Sequence, residues 1–283
     1  MSNISCKSII KSITPPFVWA LARYISICLR IIPQSARFVG EYATWEEASR
    51  LSTGYDDPSI LEKVLKATLA LVGGAGAVYE RDSVLFDHIE YSWPLLAGLM
   101  WGAAMHGGVL RIVDFGGSLG STYRQNKFFL DTLKEVSWNI VEQPHFVSCG
   151  QENFESCEMH FFNSIDDVLK TNKIDGILFC GVLQYLESPY DLLQSLEKYR
   201  FDYILVDRTP FSIDNQDKIT IQHVPKAIYV ASYPYRFLSE DRFLQAIGSA
   251  YRVVDWFVSE LVNDSRFKGC ILKRVTSKNH LAG

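Results

Sequence analysis

Six cysteines are present in the 283-residue chain (Cys6, Cys28, Cys149, Cys157, Cys180 and Cys270), yet none forms a CxxC pair and no histidine stands at metal-ligand spacing from them. Neither a structural zinc nor a disulfide framework is expected, and no metal is expected; scattered thiols in a chain of this length suit a reducing, cytoplasmic setting. A basic field is lacking too: the net charge is −4, so nucleic acid is not an expected partner. Acidic residues are missing from the first 40 positions, which carry Lys7, Lys11, Arg23, Arg30 and Arg37 before Glu41. Within that segment the longest uncharged run, Ser12 to Ala22, is too short to span a bilayer, and no small-residue cleavage site marks a secretory signal. What the chain has is apolar content, 48%, ample for a sizeable core.

That content is arranged around Leu110-Arg-Ile-Val-Asp-Phe-Gly-Gly-Ser-Leu-Gly-Ser-Thr122. Bulky apolar residues lead to an acidic one, and a glycine-rich bend opens into a helical pattern, which is the form of a ligand-binding strand, loop and helix N-terminus. A phosphate-binding P-loop needs a Lys-Ser/Thr pair after the glycines, but here Gly120-Ser121-Thr122 follows without lysine. The dinucleotide pattern G-x-G-x-x-G fails at Ser118 and Ser121. An S-adenosylmethionine loop, an acidic residue followed by G-x-G-x-G, is matched by Asp114, Gly116 and Gly120, with Ser118 replacing the middle glycine. Ser118 is expected to hold the turn with a negative φ or to give its hydroxyl to the cofactor. An ordinary strand-to-helix turn without a ligand stays open at this point.

Three regions are expected: a basic amphipathic segment over 1–40, a helical cap over 41–108, and an α/β domain over 109–283. In the first, Pro15-Pro16 precedes apolar residues at helical spacing, which fits an interfacial helix in weak peripheral contact with anionic membrane, or one docked on its own domain or a partner. In the second, Thr44-Trp-Glu-Glu47 is a capping box, Pro58 opens a second helix, a charge-dense stretch covers Tyr79 to Asp87, and a third helix covers Trp93 to Met105. In the third, strands at 110–115, 138–141, 159–162, 174–180 and 201–206 alternate with helical stretches, predicting a parallel sheet covered on both faces. The helix at 239–250 is followed by runs at 252–258 and 269–275 joined only by a loop, which permits antiparallel pairing alone. A mostly parallel sheet with an antiparallel C-terminal hairpin is the form expected of a class I methyltransferase.

Site chemistry follows from position. Glu142, at the end of the second strand, can accept both hydroxyls of a ribose diol. Asn163 and Ser164 stand where an adenine amino group is read. Asp114 would face the cofactor's ammonium, and the N–H groups of Gly116, Gly117, Ser118 and Gly120 its carboxylate. Asp207 to Tyr235 is expected as a long substrate loop with aromatic residues suited to sugar rings or to packing. Base candidates are Asp207, His223 and His145, the last also a structural imidazole. Arg208 and Arg81 are candidates for an anionic group of the substrate, or for ion pairs with neighbouring acids.

Glu142-Gln-Pro-His145 resembles the acidic-x-Pro-His turn of small-molecule O-methyltransferases, and Gly181-Val-Leu-Gln-Tyr185-Leu-Glu-Ser-Pro189 the segment after the fourth strand of class I enzymes; Tyr185 is the substrate-side candidate there. Together with Tyr42–Ala48, Tyr79–Ser83, Asp114–Gly120, Trp138–His145 and Asp207–Phe211, the chain over about 40–275 resembles a methyltransferase family of bacterial surface-polysaccharide (O-antigen and lipopolysaccharide) loci. The resemblance implies a Rossmann-like seven-stranded sheet, S-adenosyl-L-methionine as cofactor, and a glycan or glycan precursor as acceptor, in the cytoplasm or peripheral to the inner membrane. A catalytically silent scaffold and a nucleotide-sugar oxidoreductase with an altered loop are the alternatives.

Overall fold

The computed structural model describes residues 37–54, 58–74, 78–81, 83–224, 231–259, 264 and 266–275. In chain order the first elements are β1 (Arg37–Tyr42), α1 (Trp45–Arg50), α2 (Pro58–Val72), β2 (Tyr79–Arg81), β3 (Val84–Phe86) and α3 (Trp93–Met105). The central part runs β4 (Val109–Phe115), α4 (Ser121–Leu130), β5 (Glu135–Val141), α5 (Pro144–Asn153), β6 (Met159–Phe162), α6 (Ile165–Thr171), β7 (Gly176–Cys180), a 3-10 turn (Leu183–Tyr185), α7 (Pro189–Tyr199) and β8 (Tyr203–Pro210). The last elements are β9 (Lys218–His223), β10 (Ser232–Phe237), α8 (Glu240–Ile247), β11 (Tyr251–Val258) and β12 (Phe267–Arg274).

Seven strands form the main sheet in the order β11-β12-β8-β7-β4-β5-β6. The five from β6 to β8 are parallel, and β12 lies antiparallel to both β8 and β11. This is the Rossmann-like class I methyltransferase sheet with its C-terminal antiparallel hairpin. Side-chain alternation divides the strands between two cores. Ile112, Leu178 and Leu205 face α2 to α5, while Val113, Ile177, Phe179, Ile204 and Val206 face α6 to α8. Close approach of α3 to the sheet needs its small residues: a Cβ on Gly102 would stand 2.5 Å from Tyr203 Cζ.

Two expectations change. The stretch from 207 to 235 is no long loop: β8 continues to Pro210, and β9 and β10 pair antiparallel. The other edge of β9 pairs with β1, in a second sheet of order β1-β9-β10. Phe38, Tyr233, Tyr235 and Phe237 share one face of it and Ile219 and Ile221 lie on the other, and the boundary drawn after residue 40 falls inside β1. The segment 41–106 is not wholly helical either, because β2 and β3 form a small hairpin turning at Ser83, whose φ is +66°.

Candidate functional site

Strand order reverses at β4, with β5 on one side and β7 on the other, so the crevice at the C-terminal ends of these strands is where an α/β sheet takes its ligand. The glycine loop fills that position. Gly116, Ser118 and Gly120 have φ of +73°, +52° and +92°. The expected negative φ at Ser118 is therefore corrected: serine keeps the left-handed backbone that a glycine would adopt freely, at a cost of about 1–2 kcal/mol. What holds it there is Glu142, whose Oε1 accepts from the Ser118 N–H at 3.1 Å and whose Oε2 accepts from the Gln143 N–H at 2.8 Å. Burial raises the Glu142 pKa against the lowering effect of those two donors.

Asp114, the last residue but one of β4, lies beneath this loop and is 1% exposed. Trp138 Nε1 donates to its Oδ2 at 3.0 Å, while Oδ1 is buried and has no hydrogen-bond partner among the described residues. Burial, first of all, pushes its pKa up to about 7; Glu142 adds to the rise, while the Trp138 hydrogen bond and Arg208 oppose it. Gly117 is required beside it, since a Cβ there would stand 2.5 Å from Oδ2.

A cavity of about 490 Å³ opens beside the loop. Gly116, Glu142, Asn163, Ser164 and Tyr185 line it, so five of the sequence-derived candidates share one space. Asn163 is exposed, and the Ser164 hydroxyl is the N-cap of α6, accepting from Asp167 N–H at 3.1 Å and donating to its carboxylate at 2.7 Å. Sequence reasoning missed Phe115, Val182, Leu186, Leu192 and Tyr199, which form the apolar wall, and Asp166, which accepts from Tyr199 Oη at 3.3 Å. Val182 and Leu186 lay inside the segment singled out after β7; nothing in the spacing of Leu192 and Tyr199 told which face of α7 would meet the cavity.

The remaining candidates do not line this space. Asp207 is fully buried; its Oδ1 accepts from Ser259 Oγ at 2.9 Å and from the Arg208 N–H at 2.7 Å, and its Oδ2 is buried without a partner among the described residues. Arg208 has a φ of +51°, its Nε donates to Cys180 Sγ at 3.4 Å, and its guanidinium lies against Gly181, which lines the cavity. Burial pushes the Cys180 thiol up to about 11. Tyr185 packs edge-on to Tyr233 and Tyr235 with centroids 5.4 and 5.3 Å away, which ties the second sheet to the turn after β7. His223 ends β9, exposed. His145 sits in the first turn of α5 against Phe146, its Nε2 buried without a partner among the described residues. Arg81 pairs with Glu90 at 3.4 Å and lies over the Phe86 ring, as the ion-pair alternative has it. The expected aromatic run at 229–235 lies outside the described residues as far as 230.

At the opposite edge of the sheet, His106, Asp175 and Asp202 bring ligand-type atoms within 4.8 Å of one another, a group assembled from three separate segments and so invisible to spacing in the sequence. Arg111 Nε already donates to Asp175 there, at 2.7 Å.

No family model matches this sequence, and no curated protein does. Among solved structures, the chain is similar to the N-terminal domain of EvdMO1 in the presence of SAH and D-fucose, at 13% identity over 78% of this chain and 97% of that one, TM-score 0.45. It is similar to SAM-bound CalS10, an amino pentose methyltransferase from Micromonospora echinaspora, at 8% identity over 66% and 92%, TM-score 0.44. A third is an S-adenosylmethionine-dependent methyltransferase from Clostridium acetobutylicum, at 7% identity over 76% and 99%, TM-score 0.46. The fold assignment rests on the strand order itself.

Proposed function

We propose that the chain is an S-adenosylmethionine-dependent methyltransferase acting on a hydroxyl of a glycan or glycan precursor. The observation that carries the cofactor is the buried Oδ1 of Asp114, without a hydrogen-bond partner among the described residues, beneath a glycine loop pinned by Glu142. A buried polar atom without a partner is costly, and an ammonium group is the ligand chemistry that would satisfy it. Glu142 is suited to the ribose diol and the loop's N–H groups to a carboxylate; Asn163 and Ser164 stand at the adenine end. The cofactor supplies an electrophilic methyl group on a sulfonium. This chain's residues hold the two reactants in line and keep water out with the apolar wall of Phe115, Val182, Leu186 and Leu192.

The acceptor is placed on the side of β7 and β8, where Tyr185 lines the cavity and Arg208 stands to meet an anionic group. Asp207, His223 and His145 do not line the cavity; Asp207, which holds the Arg208 turn, is assigned to positioning, and the hydroxyl proton freed as the methyl–sulfur bond breaks is taken by relay to His223 or His145. The glycan acceptor is supported by the family resemblance.

Calorimetric titration of the full chain with S-adenosylhomocysteine and with NAD tests the proposal. Binding of the former alone, with methyl transfer from S-adenosylmethionine into a glycan fraction, is expected. No S-adenosylhomocysteine binding overturns it; binding without transfer to any acceptor favours a silent scaffold; NAD binding alone establishes an oxidoreductase. Residues 1–40 are proposed to contact anionic membrane. Residues 1–36 lie outside the described residues, and no described helix is long and apolar enough to cross a membrane. Liposome flotation of the full chain against chain 37–283, which keeps β1 whole, tests this contact; equal recovery of the two ends the idea.

A further inference from the structure

We infer that Glu80, outside the main sheet, is a positioning residue that fixes the glycine loop by gripping the first turn of α4. The inference rests on the methyltransferase proposal only for the ligand used to read it.

Glu80 stands in the middle of β2, 2% exposed, a place where a carboxylate survives only with partners. Its Oε2 accepts from Ser121 Oγ at 2.5 Å, and Ser121 is the first residue of α4, directly after Gly120. Its Oε1 accepts from the Ser83 N–H at 2.8 Å, across the tight turn whose Ser83 is held at positive φ. One side chain therefore joins the hairpin turn to the residue on which the glycine loop ends. Neighbouring contacts act in the same direction: Arg124 donates to Leu119 O inside the loop, feels the Glu80 charge, and lies 4.8 Å from the Phe154 ring; Gln125 donates to Glu90 O.

The mechanical consequence follows from Ser118. A loop that keeps serine at φ +52° needs fixed ends to resist relaxing. Glu142 holds its middle and Glu80 its exit. The loop's N–H groups address the amino-acid end of the cofactor in the proposed site, whereas Glu142, Asn163 and Ser164 address its nucleoside end. Loss of Glu80 should therefore weaken ligands that carry the amino-acid end more than ligands that lack it.

Two measurements on the full chain test this, in wild type, Glu80→Gln, Ser121→Ala and the double variant. Hydrogen exchange of the ligand-free protein is expected to show amides 118–124 opening roughly tenfold faster in Glu80→Gln, with α5 unchanged. Titration with S-adenosylhomocysteine is expected to show about a tenfold loss for either single variant and little further loss for the double. Titration with 5′-methylthioadenosine, which lacks the amino-acid end, should change less than about threefold. Unchanged exchange at 118–124 overturns the inference, as does additive behaviour of the two variants or equal loss for both ligands. Should wild type bind neither ligand, the methyltransferase proposal falls, and the exchange result still decides the role of Glu80.

Discussion

Asp114 and Asp175 are both buried aspartates beside neighbouring strands of the same sheet, at opposite edges. Asp175, 3% exposed, precedes β7; Arg111 Nε donates to one oxygen at 2.7 Å, and His106 and Lys173 stand at 3.7 and 4.0 Å from the other. Asp114, equally buried, stands one residue before the end of β4, with one oxygen on Trp138 and the other without a partner among the described residues. A carboxylate compensated inside its own fold serves stability. One left short of a partner at a ligand edge costs stability that a bound cation can return. The contrast separates scaffold from site without reference to any relative.

The largest expected effect is on the scaffold side. Asp175→Ala strands Arg111 in a half-buried position and should cost about 3–5 kcal/mol, read as a shifted urea midpoint, while S-adenosylhomocysteine affinity of the folded protein stays within about twofold. A loss of affinity as large as the loss of stability would erase the distinction between the two edges. Asp114→Asn should do the reverse. Losing a charge-assisted contact to the ammonium weakens S-adenosylhomocysteine by about 10–100-fold, with no drop in the ligand-free urea midpoint at pH 7.

The pH dependence sharpens the same contrast. Burial holds the Asp114 pKa at about 7 in the folded protein, above its ordinary 3.8. Between these values the unfolded chain loses this proton first, so the folded state binds more protons and its stability falls as pH rises. Below the lower value the contribution is fully present; above about 7 it is gone. Wild type minus Asp114→Asn, measured without ligand from pH 4 to 8, should show that falling slope, and saturating S-adenosylhomocysteine should flatten it. A flat difference without ligand would mean that Asp114 is solvated or paired in solution.

Much of this is legible in the sequence, and the reasons divide by distance along the chain. Asp114 to Gly120 and Glu142 could be read because strand, loop and helix start are neighbours in sequence, and so could the antiparallel ending, from the short link between its strands. The second sheet was not legible: Thr220 Oγ1 donates to Val39 O at 3.0 Å across 181 residues, a pairing that no local pattern announces. The β2–β3 hairpin was hidden because three-residue strands are too short for alternation to show. Glu80 looked like one more charge in a polar stretch until the fold placed it on Ser121.

The smallest effect concerns the residue that made the loop ambiguous. Serine in place of the middle glycine could mark a loop released from its ligand, in which case the backbone would be free to relax toward negative φ. It does not relax: Ser118 stays at φ +52° with its N–H on Glu142. Ser118→Gly removes the left-handed penalty but adds backbone freedom to the unfolded chain, so the net gain should be small, about 0.5–1 kcal/mol, read as a modest rise in the urea midpoint. If the loop's geometry rather than the serine hydroxyl serves the cofactor, S-adenosylhomocysteine affinity stays within about threefold of wild type. A larger loss on Ser118→Gly would show that the hydroxyl itself touches the ligand. A large gain in affinity would show instead that serine had loosened the loop, and that strain at this position works against binding.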